Sequence, residues 1–331
     1  MIPQPIPALS LTPEPVPSVG SPVSPNSAIS TWVVFVAADQ LNRGSKYIVE
    51  KSERVKLAKL NLEAGTNAMS LSAFVPAWKY LKSGIDVLGE NKWDNDVYEL
   101  TRDLHVNAND MATCLGKYGE GSELAKEVLK SVRSADEKLA IYYSQVKALG
   151  QQARLEESTA RAVQVMRTLG VPFPRNPNML QVMVNIFKTR RMMKGLSDND
   201  IKSLPKMKEA KISAAIRVMQ LFWQHSLLRQ KPAGMLYCIL RMLQLTLKHG
   251  LHNISPSAVS AYGLVIASVF GDINEAYRLG SLAIQLVEQL DARQIESTVM
   301  VIFCLYMRHW RETYTECVEH LIRGYRSGMT Q

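Results

Sequence analysis

The sequence has no long apolar stretch and no basic residue near its start. Its longest uninterrupted apolar run is nine residues, from Val299 to Met307, whereas a membrane-spanning helix needs roughly 20. No basic residue precedes Arg43, which argues against the charged start of a secretory signal and the arginine-rich face of a mitochondrial transit peptide. These absences predict a cytoplasmic protein with no transmembrane segment.

The sequence also lacks the residue patterns of metal sites and disulfide frameworks. Its four cysteines are Cys114, Cys238, Cys304 and Cys317. None belongs to a C-x-x-C pair, so we expect them to be reduced and buried as small apolar side chains. His249 and His252 flank the helix end at Gly250 and have no cysteine or carboxylate beside them, unlike the usual zinc ligands. We therefore expect no metal and no cofactor.

Catalytic motifs are absent as well. The chain contains no H-E-x-x-H, no G-x-S-x-G and no cysteine–histidine pair in a diagnostic setting. An enzyme with its site inside a helical bundle remains an alternative, but no residue pattern supports it. The sequence therefore predicts a protein that is not an enzyme.

Two segments differ sharply in composition. Residues 1–27 hold eight of the fifteen prolines, and proline both lacks an amide donor and moves the preceding residue out of the helical region. We expect residues 1–28 to be a disordered Pro/Ser-rich tail, with a ligand for a proline-reading module as the alternative. Residues 29–331 show apolar positions at helical spacing and no period of two, which predicts an all-α domain with a sub-boundary near 170–178.

One stretch indicates how these helices pack. In "GDINEAYRLGSLAIQLVEQL" (271–290), Gly271 stands at a turn, and Ala276 and Ala283 follow seven residues apart on one helix face. Small residues are needed where two antiparallel helices nearly touch, because a large side chain would push them apart. The spacing resembles the second half of a tetratricopeptide repeat.

More degenerate versions of this pattern occur elsewhere in the chain. The residues expected at turns and close helix contacts are Gly65, Ala77, Gly84, Gly116, Gly121, Ala125, Ser158, Ala162, Gly271, Ala276, Ala283, Cys317 and Gly324. Ala77, Gly121 and Ser158 are separated by 44 and 37 residues, and Ala276 and Cys317 by 41. A strict tetratricopeptide repeat has a period of about 34 residues. The pattern therefore predicts an α-solenoid of irregular, tetratricopeptide-like helical hairpins, in which the apolar run 299–307 is buried on every face.

Basic residues concentrate in one segment. Residues 188–211 carry eight basic and three acidic side chains, a net charge of +5 within a total of +9. The interpretation that the sequence favours is a solvated helix end with its loop. The functional alternative is a basic docking surface for an acidic partner, anionic lipid or RNA, formed by Lys188, Arg190, Arg191 and Lys194. No aromatic residue is interleaved there, as stacking on single strands would require, which argues against nucleic acid.

Several stretches together resemble one known helical region. They are "AADQLNRGSKYI" (37–48), "LAKLNLEAGTNAMSLSAFVPAWKYLKSGIDVLG" (57–89), "TLGVPFPRNP" (168–177) and "RHWRETYTECVEHLIRGYRSG" (308–328). The resemblance is to the helical, tetratricopeptide-like region that follows the P-loop ATPase in large multidomain signalling proteins with Ser/Thr-kinase-like, GAF and histidine-kinase domains. It extends from about residue 35 to the end of the chain.

The resemblance implies a noncatalytic scaffold or signal-relay segment whose partners are other proteins or neighbouring kinase and ATPase domains. The G-x-x-x-x-G-K-[ST] loop, the H-R-D loop and the D-F-G motif of such neighbours are absent from the chain. The sequence therefore leaves open whether the chain is a whole protein or a fragment of a larger kinase. A stand-alone adaptor that binds peptides is the alternative function.

Overall fold

The chain folds into α-helices joined by short connections. The computed structural model describes residues 25–134 and 136–329. Within these ranges there are fifteen α-helices and no strand, and one isolated bridge pairs Lys206 with Leu251. The prediction of an all-α fold is confirmed.

The helices follow one another through the whole described part of the chain. In the first half they are α1 (Pro25–Arg43), α2 (Lys51–Ser70), α3 (Phe74–Leu88), α4 (Tyr98–Cys114), α5 (Tyr118–Ser131), α6 (Leu139–Gln151) and α7 (Leu155–Thr168). In the second half they are α8 (Met179–Met193), α9 (Asp198–Lys202), α10 (Ala210–Leu228), α11 (Pro232–His249), α12 (Ser255–Phe270), α13 (Ile273–Gln289), α14 (Arg293–Tyr306) and α15 (Tyr314–Met329).

The first helix begins earlier than expected. α1 starts at Pro25, ahead of Ile29, because proline is well tolerated in the first turn of a helix, where its missing N–H has no intrahelical partner. Residues 25–28 are therefore helical and do not belong to the tail. The remainder of the predicted tail, residues 1–24, lies outside the described residues.

Neighbouring helices pair as antiparallel hairpins. In α2 and α3, a Cβ atom placed on Gly65 would lie 2.7 Å from Leu81, and one on Gly84 would lie 3.1 Å from the Cβ of Asn61. The later residue of α2, Gly65, contacts the earlier residue of α3, Leu81, and the earlier residue of α2, Asn61, contacts the later Gly84. The two helices are therefore antiparallel. The same pairing joins α4 with α5, α6 with α7, α10 with α11, α12 with α13, and α14 with α15.

One turn geometry recurs between consecutive helices. Three-residue connections with the middle residue in the left-handed region occur at Ser72, Gly116, Ala153, Gln230 and Asp291. In each, the following residue donates its backbone N–H to the carbonyl five residues earlier, at 2.8–3.0 Å. This bond satisfies a carbonyl that the end of the helix would otherwise leave unpaired. The repeated bond explains how the chain reverses direction within three residues.

Buried residues form cores of unequal size. Most buried apolar side chains from Val146 to Met307 belong to one large cluster, whereas those up to Ile141 form smaller clusters. Val171 and Phe173 belong to the large cluster. The core therefore continues through the stretch 170–178, at which the sequence indicates a sub-boundary.

The prediction that the apolar run 299–307 is buried on every face is wrong. Val299 and Phe303 are buried, but Val301, Leu305 and Tyr306 are exposed. The run lies at the end of α14, where α12, α13 and α15 cover only part of the helix. Among the described residues, no helix combines the length and the apolar character needed to cross a bilayer.

Candidate functional site: the α8 cleft

Helix α8 stands apart from the hairpins and forms one wall of a cleft. Asn178 caps it, since its side chain accepts a hydrogen bond from the N–H of Gln181, and the Gln181 side chain accepts one from the N–H of Asn178. One face, which includes Val182, Ile186 and Met193, is buried and packs on α11. The opposite face of α8 is left exposed.

The end of α8 carries the four predicted basic residues. Arg190, Arg191 and Lys194 line a cleft of about 660 Å³, whereas Lys188 is exposed on the same helix outside the cleft. A volume of this size is within the usual range of roughly 300–1,000 Å³ for ligand sites. The structure thus brings three of the four residues into one concave surface.

The second wall of the cleft comes from the turn between α12 and α13. Phe270 ends α12, Asp272 caps α13, and both line the cleft together with Tyr262. The guanidinium of Arg190 lies over the ring of Phe270, 4.6 Å from its centroid, an arrangement in which the ring face attracts the cation. Burial raises the pKa of Tyr262 to about 12. This buried tyrosine is neutral at physiological pH and adds no charge to the cleft.

The acidic side chains at the cleft already have partners. Arg278 binds Glu275 at 2.6 Å and also pairs with Asp198. The hydrogen bond to Glu275 is the largest cause that raises the pKa of Arg278. The carboxylate of Asp272 accepts the N–H of Glu275 at 3.0 Å. Arg278 is therefore shared by two carboxylates, while Asp272 has a backbone N–H and no cation as its partner.

The four basic residues of α8 are not balanced in this way. Within residues 25–134 and 136–329, no carboxylate lies within ion-pairing distance of Lys188, Arg190, Arg191 or Lys194. Four further basic residues of the segment do not line the cleft, namely Lys202, Lys206, Lys208 and Lys211. Lys202 instead donates a hydrogen bond to Gln285 at 3.0 Å. The cleft therefore carries a net positive charge along its α8 wall.

Reasoning from sequence missed the apolar half of this surface. Leu180, Met183, Val184 and Phe187 are 74 %, 37 %, 59 % and 58 % exposed. They occupy α8 at spacings of three and four, so they lie along one side of the helix. The stretch "MLQVMVNIF" (179–187) places apolar residues on two faces of this helix. In the structure, α11 covers only one of the two faces.

The predicted repeat-packing residues occupy two kinds of position. Those that lie inside helices and are buried are Gly65, Ala77, Gly84, Gly121, Ala125, Ser158, Ala162, Ala276, Ala283, Cys317 and Gly324. Gly116 and Gly271 instead stand at exposed turns with φ of 70° and 65°. At such positive φ, residues with a Cβ are strained. Whether these residues act as repeat contacts stays a prediction.

Several of these small residues lie where helices come close. A Cβ on Gly121 would lie 3.2 Å from the Cβ of Ala112, and a Cβ on Gly324 would lie 2.9 Å from that of Met300. The Ser158 hydroxyl donates to the carbonyl of Val146 at 2.9 Å, which ties α7 to α6. Substitution of these positions by large side chains therefore requires the helices to move.

The histidines and cysteines serve local contacts. His249 lies 2.7 Å from Glu209, and the Nδ1 atom of His252 accepts the N–H of Ile254 at 3.1 Å. All four cysteines are free thiols; Cys238, Cys304 and Cys317 are buried as expected, whereas Cys114, at the end of α4, is exposed. In the part of the chain that the structure describes, no three His, Cys, Asp or Glu side chains are grouped so that they could hold a metal ion.

Comparison with known proteins gives one informative similarity. The chain is 20% identical over 304 residues to Hybrid signal transduction histidine kinase G of Dictyostelium discoideum, and the match covers 83% of this chain. It covers only 9% of that protein, so the chain spans less than a tenth of its relative's length. No protein-family model and no solved structure matches the chain. The chain is thus similar to one segment of a signal-transduction histidine kinase.

Proposed function

We propose that this chain is a noncatalytic helical-repeat segment that relays signals through contacts with other proteins or with neighbouring kinase and ATPase domains. Its hairpins form an α-solenoid of tetratricopeptide-like units, and the segment works in the cytoplasm. It carries out no chemistry itself. Its part is to hold binding surfaces at fixed positions relative to one another.

The observation that carries this proposal is a shared register between turns and small residues. Ser72, Gly116 and Ala153 adopt the left-handed turn conformation, and the small residues Ala77, Gly121 and Ser158 each follow five positions later, all buried. Turn and close contact therefore recur together at intervals of 44 and 37 residues. Recurrence of one supersecondary unit is the signature of repeat architectures, in which each unit packs on its neighbours.

The similarity to the Dictyostelium protein supports the signalling part of the proposal. The match extends over 83% of this chain, so it covers most of the hairpins rather than one motif. That relative is named a hybrid signal transduction histidine kinase. We infer that the helical segment has a related position in signalling, between domains that carry the catalytic activity.

A stand-alone peptide-binding adaptor is the second candidate, and the α8 cleft favours it. The cleft brings the exposed Phe187 together with Arg190, Arg191 and Lys194, and the apolar stripe of α8 leads into it. An enzyme with a helical-bundle site is a third candidate, and metal and cofactor analysis of the purified protein tests it. Nucleotide-binding or kinase domains in the same reading frame would favour the relay over the adaptor.

The relay function is tested by exchange of segments. The chain replaces the matched region of the Dictyostelium kinase, and phosphohistidine formation is measured with labelled ATP. We expect the chimaera to retain phosphorylation, and a chimaera with Ala276→Phe to lose part of it because a hairpin is disturbed. A third chimaera carries an unrelated helical segment of the same length. Equal phosphorylation in all three, or in none, would contradict a specific relay role.

A further inference from the structure

The exposed face of α8 joins two chemically different surfaces. The apolar stripe consists of Leu180, Met183, Val184 and Phe187. It covers about 10 Å along the axis, given the rise of about 1.5 Å per residue in an α-helix. The basic residues Arg190, Arg191 and Lys194 follow directly. An apolar stripe that leads into a basic helix end has the pattern of a recognition surface.

We propose that the α8 face and its cleft bind an acidic amphipathic helical segment of a partner protein. Apolar side chains of that segment, spaced at three and four residues, pack on the stripe, and its carboxylates lie about one helical turn beyond. There they meet Arg190, Arg191 and Lys194. This inference rests on the proposed function as an interaction segment and names the chemistry of its partner.

The unpaired positive charges of α8 favour an acidic partner. The four cations of α8 have no carboxylate partner among the described residues, whereas Asp198, Asp272 and Glu275 are already bound to Arg278 or to a backbone N–H. Asp200 is bound as well, because its carboxylate accepts the N–H of Ser197 at 2.8 Å. An acidic segment would therefore form charge-assisted hydrogen bonds that the folded chain lacks.

The shape of the site favours a helix over a membrane surface. The cleft is concave, and the carboxylates of Asp272 and Glu275 stand on the wall opposite α8. A flat anionic bilayer cannot enter a concave site, and it would place its headgroups near those carboxylates. A helix can insert an apolar side chain into the cleft, which Phe187 and Phe270 line from the two walls, while its own charges face α8.

The experiment uses the full chain and a fluorescein-labelled synthetic peptide of about 18 residues, roughly five helical turns. The peptide carries leucines on one face and three glutamates one turn beyond them. A second peptide has glutamine in place of glutamate, and a third has the same composition in scrambled order. Fluorescence anisotropy measures binding. We expect the first peptide to bind at least about tenfold more tightly than either control.

Variants of the chain locate the site. Reversal of the basic residues in Arg190→Glu/Arg191→Glu/Lys194→Glu should weaken binding at least about tenfold, and Phe187→Ala should weaken it about as much. The matched charge control is Lys59→Glu/Lys79→Glu/Lys130→Glu, which alters exposed lysines on α2, α3 and α5. The matched apolar control is Leu228→Ala, at the exposed end of α10. Circular dichroism should show unchanged helicity in all four proteins.

The remaining outcomes decide against the proposal. Equal binding of all three peptides, or equal weakening by the control variants, would show nonspecific attraction. Binding to phosphatidylserine vesicles that competes with the peptide would assign the surface to membranes. A dimer of the chain that Phe187→Ala dissociates would assign it to a second copy. If the peptide does not bind, this inference is wrong. The phosphorylation of the chimaera is measured without a peptide, so it tests the proposed relay function independently.

Discussion

The hairpins before α6 and those after it differ in which atoms come close where two helices meet. In the first region, Gly65 faces the end of the Leu81 side chain, and Asn42 and Asn61 exchange two side-chain hydrogen bonds at 2.8 Å. In the second, backbones and rigid rings come close. A Cβ on Gly263 would lie 3.1 Å from the Ala276 carbonyl oxygen, and one on Gly280 would lie 2.2 Å from the Phe303 ring.

This difference extends to the cores. The first region has separate apolar clusters, whereas the second has one cluster from Val146 to Met307. In repeat structures each unit is stabilised by its neighbours, so a continuous core should unfold as one unit and separate clusters should open locally. One hairpin pattern can therefore produce regions of different rigidity.

The largest expected effect comes from overpacking the close contact between α12 and α13. Ala276→Phe should destabilise the protein by about 1–3 kcal/mol or more, because the backbones of α12 and α13 must move apart. Ala77→Phe in α3 should cost less. Where α2 and α3 come close at Gly65, the nearest atoms belong to the Leu81 side chain, which can change rotamer, and not to the backbone. Urea unfolding followed by circular dichroism measures both.

The control for overpacking is Gln285→Ala. Gln285 is exposed and accepts one hydrogen bond from Lys202, so its loss should cost about 0.5 kcal/mol or less. If Ala276→Phe unfolds like the parent protein, the small residues do not mark a helix contact.

A smaller difference in stability between the two regions is expected when a glycine inside a helix is replaced by alanine. Gly280→Ala should destabilise by about 1–2 kcal/mol, because the new methyl group meets the buried Phe303 ring, which itself packs on Tyr277. Gly65→Ala should be nearly neutral, because the helix-forming gain of about 1 kcal/mol offsets a leucine rearrangement. Thermal unfolding gives the comparison. Gly119→Ala, with open space at its Cβ position, is the control. Equal costs at Gly280 and Gly65 would remove the distinction between regions.

The turns should respond in opposite directions by about 1 kcal/mol each. Gly271 has φ of 65° with no atom near its Cβ position, so Gly271→Ala should destabilise through backbone strain alone. Ala153 has φ of 56°, so Ala153→Gly should relieve the same strain and stabilise. Chemical denaturation of both variants tests this. Changes of the same sign would contradict the left-handed conformation at one of the two turns.

The smallest effect is expected from removing the proline-rich segment. Deletion of residues 1–24 leaves α1 whole and should not change the thermal midpoint, since the frequent prolines of that segment oppose a helix that could pack on the domain. Differential scanning fluorimetry on both proteins is sufficient. A midpoint lowered by several degrees would show that this segment packs on the first region and strengthens it.

The sequence by itself determined the helical class, and it marked the turns at Gly116 and Gly271, because glycine is the residue that adopts a left-handed backbone without strain. It did not mark the turns at Ser72, Ala153 and Asp291, which adopt the same conformation without glycine. There, packing of the hairpins on both sides compensates for the strain, and packing is not local information.

Only the tertiary structure decided which faces of the helices are covered. The sequence placed Arg190, Arg191 and Lys194 on one helix end, but the cleft exists because the α12–α13 turn, some 80 residues later, lies opposite them. Likewise, α8 and the run 299–307 look apolar on several faces, and their neighbours cover only some of those faces. Helical periodicity reports which residues share a face, whereas burial depends on what packs against it.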